Sequence, residues 1–211
     1  MKVLVLVLTY LDNGVYSNFY NKQNETWNSV DVDGVDVYFN INNGDKKEIK
    51  GHFIINDLPE TVENEGYKII NCFEQTLDWD YDYIYHTNSS SYIDKKLLYE
   101  WLLDKPKEKF YSGVRGTYLG HPFASGCGFT ISKDVVKMIL DNQSEWEHGN
   151  ADDATLGILL QKLGLTVYEA PRFDLIDYSG DIPNNFFHYR CKTNNRDLDV
   201  NNLTRIHNIK H

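Results

Sequence analysis

The sequence predicts an α/β protein: a single domain built on an open, mostly parallel (mixed) sheet flanked by helices on both faces. Three observations carry that expectation. The chain opens on an unbroken apolar run, VLVLVL, which suits a strand buried on both sides. Stretches dense in β-branched and aromatic residues then alternate with stretches whose apolar residues recur at helical spacing. Between them fall turn residues, among them Asp12-Asn13-Gly14, Asn42-Asn43-Gly44 and Lys105-Pro106.

In order, residues 2–9 are the first strand. Residues 15–27 place Tyr16, Phe19, Tyr20 and Trp27 near helical spacing, residues 35–41 are a second strand and 53–55 a short third. Tyr67, Ile70, Phe73 and Leu77 mark a helix over 65–77. The stretch YIYHTNSSSY, beginning at Tyr83, is a strand running into a polar tip, and Leu97, Leu98, Trp101 and Leu102 make residues 94–103 an amphipathic helix. Residues 110–114 form a strand. Residues 124–128, ASGCG, are a compact small-residue turn into a strand at 129–131. Ser132 caps a helix to about 142, and Asp152-Asp153 opens another through 163, ended by Gly164. Strands at 165–169 and 186–191 complete a domain over residues 1–193, and residues 194–211 form a polar C-terminal tail.

A chain of 211 residues suits one domain, and its net charge of -10 argues against nucleic acid as a partner. The cysteines, Cys72, Cys127 and Cys191, are odd in number and widely spaced, which indicates neither a disulfide framework nor a zinc site. A signal peptide is not expected of the first run, which is short, lacks a small-residue cleavage site and passes directly into Thr9-Tyr10. No run approaches the ~20 apolar residues of a membrane span. The expected location is the cytoplasm.

Ligands of open α/β sheets bind beyond the carboxyl ends of the strands, so Thr9-Tyr10 and the tip at 88–91 share one rim. Asp-x-Asp pairs occur at 31/33, 78/80, 80/82 and 197/199, four in one acidic chain, so the pattern alone says little. Asp78 and Asp80 precede their strand and belong at the end away from the rim.

Three ordered segments now stand together: YDYIYHTNSSSYID, HPFASGCGFTISKDVV and NADDATLGILLQKLGL. With Glu65-Gly66-Tyr67-Lys68 before them and Phe187-His188-Tyr189-Arg190 after, they resemble the fringe-like β-1,3-glycosyltransferases, a GT-A-fold family that uses UDP-sugars. The resemblance spans roughly residues 2–192. The Asn- and Tyr-rich composition is similar to that of large-DNA-virus or microbial glycosyltransferases.

The resemblance implies a glycosyltransferase moving a hexose or deoxyhexose from a UDP-sugar donor to a hydroxyl of a glycan or glycoprotein acceptor, with inversion. Asp153 then matches the family's base, needed because the acceptor hydroxyl loses a proton as it attacks. Ser125, Gly126 and Cys127 match the turn whose backbone approaches the donor sugar, and Thr9 and Tyr10 would meet the uridine. Asn88, Ser89 and Ser90 stand where the family carries an acidic triplet that binds a divalent cation, and His188 stands where it places a metal-binding His. The implied cofactor is Mn²⁺, held by His188 and Ser90, although neutral hydroxyls are weak replacements for carboxylates. Arg115 is either a contact for the diphosphate or a solvated charge.

Each residue also has a plain structural reading. Two acids at a helix start satisfy the helix dipole without catalysis. A histidine in an aromatic strand, such as His86 or His188, is commonly a core residue. The missing acidic triplet leaves an alternative: a non-catalytic UDP-sugar or glycan-binding module derived from a glycosyltransferase.

Overall fold

β1 (Val3–Leu8) is the spine of the fold because its apolar run divides between two cores. Val3, Val5 and Val7 enter one, Leu4 and Leu6 the other, and all are at most 2% exposed. Alternate side chains of a strand face opposite ways, so a strand covered on both sides must be apolar throughout. Each such burial contributes about 1.5–3 kcal/mol. The computed structural model describes residues 1–11, 14–43, 45–149, 151–176, 178 and 180–211. The turn signals at Asp12-Asn13 and Gly44, and Asn150 of the third family-like segment, lie outside the described residues.

β1 pairs in parallel with β2 (Val35–Asn42) on one side and β5 (Tyr83–Asn88) on the other. β4 (Phe53–Asn56) continues in parallel beyond β2, and β3 (Glu48–Lys50) closes that edge antiparallel. Past β5 the direction reverses through β8 (His121–Ser132) and β7 (Tyr111–Tyr118), with β9 (Tyr168–Glu169) parallel at the far edge. The strand order is β3-β4-β2-β1-β5-β8-β7-β9. A small second sheet joins β10 (Phe173–Asp174), β11 (His188–Arg190) and β6 (Ser91–Ile93).

Helices cover both faces, as expected. α1 (Val15–Glu25), α3 (Lys95–Leu102) and α6 (Arg196–Lys210) give Phe19, Leu98, Leu102, Leu203 and Ile206 to the valine side. α2 (Glu65–Thr76), α4 (Lys133–Asp141) and α5 (Asp152–Lys162) give Ile70, Phe73, Val136, Ile139 and Leu160 to the leucine side. Asp94 caps α3 by accepting the Leu97 N–H at 3.0 Å. Ser132 precedes α4 but its hydroxyl donates to Asp134 instead of capping. Among the described residues no helix is long and apolar enough to cross a membrane.

Two elements differ from expectation. The segment read as a polar tail is α6, which Asn195 caps by accepting from Asp197 and Leu198 N–H at 3.1 Å each. Only Val200, Leu203 and Ile206, three residues apart, carry its apolar face, and ten polar or charged residues of the helix mask that spacing. The small-residue turn at 124–128 lies within a strand. Along β7 and β8 the pairing jumps from Gly113↔Phe129 to Arg115↔Ala124, so residues 125–128 bulge out opposite Val114 alone.

Candidate functional site

A cleft of about 760 Å³ opens beyond the carboxyl ends of β1 and β5. The parallel register sets Leu8 beside Asn88, which brings the next residues together: Thr9 Oγ1 lies 2.8 Å from Ser89 Oγ. The polar tip is organised by Asn88, whose side-chain oxygen accepts from the Ser90 N–H, Ser90 Oγ and Ser91 Oγ, each at 3.2 Å. Gln23 steadies it from α1, its amide donating to the Asn88 and Ser91 carbonyls. Thr9, Tyr10, Asn88, Ser89 and Ser90 all border the cleft. Tyr10 is 40% exposed and meets Tyr16 edge-on at 5.9 Å, a ring pair open to the cleft.

The β8 bulge forms the facing rim. It carries Ser125, Gly126 and Cys127 to the cleft, above the first turn of α5. There the Gly126 N–H donates to Asp153 Oδ2 at 2.7 Å and the Ala154 N–H to Oδ1 at 2.9 Å. A Cβ on Gly126 would sit 3.1 Å from that Oδ2, so glycine lets the backbone come this close. Each carboxylate oxygen has further lone pairs, and Asp153 keeps acceptor capacity toward the cleft. The Cys127 carbonyl is tied down by Thr87 Oγ1 at 2.9 Å, and its sulfur lies 2.8 Å from Arg172 Nη1.

Asp152 also borders the cleft, but its oxygens are spent on structure. One accepts the Gly66 N–H at 3.1 Å and the other lies 3.2 Å from His148 Nδ1, linking α5 to α2. Burial pushes the Asp152 carboxyl up, against the pull of the His148 hydrogen bond. Burial, then the charge of Asp152, raises Glu65 as well.

Charge is divided between the walls. Glu60, Glu65, Asp152 and Asp153 come from the α2 and α5 side; Arg190, Lys192 and Arg196 come from β11 and α6. Lys68 is 1% exposed on the floor and donates to both Glu60 oxygens at 2.8 Å and to the Thr9 carbonyl at 2.7 Å. Burial lowers its pKa and Glu60 opposes that shift. These basic residues escaped the sequence reading. The signal was present in Arg190-Cys191-Lys192, where alternation after a strand puts the two cations on one side.

Two expected contacts fall elsewhere. Arg115 is an exposed residue of β7 and does not border the cleft. His188 is 2% exposed and outside the cleft lining, with Nδ1 2.8 Å from the Tyr85 hydroxyl and Nε2 3.0 Å from Ser91 Oγ. Both ring nitrogens are thus engaged within the protein, and burial holds its pKa well below the usual histidine value. His86 is a core residue on the cleft floor, stacked on Phe129 at 4.5 Å. Asp80 pairs with Lys2 at the opposite end of the sheet, as its position before the strand predicts.

The residues present do not fit a divalent cation. Where carboxylates would be needed the tip offers an amide and hydroxyls, and His188 has no free nitrogen to give. Among the described residues no group of three or more His, Cys, Asp or Glu side chains is arranged to hold a metal ion.

No protein-family model matches the chain. Its sequence is 22% identical over 145 residues to the Homo sapiens UDP-GalNAc:beta-1,3-N-acetylgalactosaminyltransferase 2, a match covering 59% of this chain and 29% of that protein. The chain therefore spans less than a third of the length of that curated relative. Its fold is similar to the crystal structure of a glycosyltransferase involved in the glycosylation of the major capsid of PBCV-1, with a TM-score of 0.58 and 12% identity. That match covers 97% of this chain and 100% of the other. At 12% identity the structural match shows a shared fold, and at 22% identity the sequence match is a distant similarity to a glycosyltransferase.

Proposed function

We propose that the chain is an inverting glycosyltransferase that moves a hexose or deoxyhexose from a UDP-sugar to a hydroxyl of a glycan or glycoprotein. The observation that carries this reading is the placement of Asp153, which faces a cleft bounded by the end of β1 and the β8 bulge. Two backbone N–H groups orient its carboxylate and leave it acceptor capacity. The acceptor oxygen bonds to the anomeric carbon while its proton passes to Asp153, and the bond to the diphosphate breaks with its electron pair going to the phosphate oxygen. Attack from the face opposite the leaving group inverts the anomeric centre. Tyr10, Tyr16 and Thr9 provide an aromatic and hydroxyl-bearing surface for the uridine, and the bulge backbone at Gly126 approaches the sugar.

The test is a thermal-shift screen of UDP-sugars followed by transfer to glycan acceptors, with the product anomer read by NMR. A ligand that binds only the folded state raises its apparent stability. Transfer with inversion is the expected result; a product of retained configuration rules out the assigned chemistry. The neutral tip Asn88-Ser89-Ser90 favours a second reading, a non-catalytic UDP-sugar-binding module, which predicts binding with neither transfer nor hydrolysis.

A further inference from the structure

A diphosphate in this cleft needs its charge met, and the Asn88-Ser89-Ser90 tip has no charge to meet it with. The wall beside the tip does. The Cys191 N–H donates to the Ser90 carbonyl at 2.8 Å, and Arg190 pairs with Ser91 in antiparallel register. The Cys191 side chain is fully buried, so strand alternation turns Arg190 and Lys192 the other way, and both border the cleft. The basic pair is thereby locked, through the backbone, to the very residues that replace the acidic triplet.

These cations are incompletely matched. Among the described residues Arg190 Nε is buried without a hydrogen-bond partner, and the carboxylate of Asp174 is 3.8 Å from Nη1. Lys192 is exposed and has no ion-pair partner among the described residues. Arg196, the first residue of α6, is fixed by Asp199 at 2.8 Å and by the Phe19 ring, whose centroid is 4.9 Å away, and it also borders the cleft. The Arg190 side chain is about a third exposed, so its guanidinium can offer N–H groups to a phosphate oxygen from the cleft.

We propose that Arg190, Lys192 and Arg196 hold the diphosphate of a nucleoside-diphosphate donor and offset its charge as the sugar leaves, in the place of a divalent cation. This rests on the reading of the cleft as a donor site. When the bond between the anomeric carbon and the phosphate oxygen breaks, its electron pair stays on the terminal phosphate, beside these fixed positive groups. Preorganised charge aimed at a developing anion needs no rearrangement during the reaction. The acidic wall is left to the acceptor, whose proton Asp153 takes.

Calorimetric titration with UDP and with uridine, in EDTA and then in Mn²⁺, tests the assignment on the wild type, Lys192→Gln and Arg190→Gln. Lys137→Gln, on the outer face of α4, controls for net charge. Lys192 is exposed, so its variant folds even where Arg190→Gln does not. The expected result is UDP binding in EDTA, weakened about tenfold by Lys192→Gln or Arg190→Gln, with uridine affinity unchanged in each. UDP affinity that both variants leave intact, or that arises only when Mn²⁺ is added, overturns the assignment while the donor site stands. Absence of UDP binding under both conditions overturns the donor-site reading itself.

Discussion

The Gly126 N–H and the Asp153 carboxylate meet at 2.7 Å, joining the β8 bulge to the first turn of α5. That bond fixes the side chain on which the proposed chemistry depends. In Asp153→Asn the amide oxygen still accepts from Gly126, so the fold and UDP binding are expected to persist. The amide cannot take a proton, so kcat is expected to fall by about 10²–10⁴. Steady-state kinetics beside a calorimetric UDP titration checks both halves. Unchanged turnover removes Asp153 from the base role.

His188 separates a structural role from a metal-binding one. His188→Leu strands the buried Tyr85 hydroxyl, whereas Ser91 Oγ keeps Asn88 and the Cys127 carbonyl as partners. The expected loss of stability is about 1–3 kcal/mol in urea unfolding, with UDP affinity of the folded variant unchanged. A metal ligand would behave in the opposite way, with stability kept and nucleotide binding lost in Mn²⁺.

α6 is expected to belong to the folding unit. Ile206 and Leu203 are fully buried, and Ile206→Ala is expected to lower unfolding stability by about 2–5 kcal/mol, read from the urea midpoint at constant slope. A midpoint within error of the wild type would mean that the helix docks without contributing to the core.

What the sequence made legible was what local pattern determines. The unbroken apolar run of β1 required a doubly covered strand, and the carboxyl-end rule placed Thr9 and Ser89 on one rim, where their hydroxyls touch. The position of Asp153 beside the cleft was legible through its place at a helix start. The rest depended on pairing between distant segments. Nothing in ASGCG states that four residues will stand opposite Val114, because a bulge is a property of two strands. The engagement of His188 with Tyr85 and Ser91 was hidden for the same reason: it spans about a hundred residues of chain. The basic wall was overlooked because Arg190 and Lys192 become a cleft surface only once β11 pairs with β6 beside the tip.

The buried histidines are expected to set the acid side of the stability profile. Burial drives His86 from 6.5 to about 3, with the nearby Lys68 charge adding to the shift, and His188 also lies well below its usual value. Between these values the unfolded chain binds protons that the folded protein refuses, so stability falls as pH drops. The window for His86 runs from about 6.5 down to about 3; above it the stabilisation is fully present. Glu65 and Asp152 act with the opposite sign, since their raised values mean the folded state holds protons more tightly. Comparing the wild type with His86→Phe cancels that contribution and isolates one proton, worth up to about 1.4 kcal/mol per pH unit. Phenylalanine preserves a ring against Phe129 and cannot titrate. Urea midpoints between about pH 7 and pH 5 are expected to fall more steeply for the wild type than for the variant. Parallel profiles would show that His86 is protonated in the folded protein, contrary to its burial.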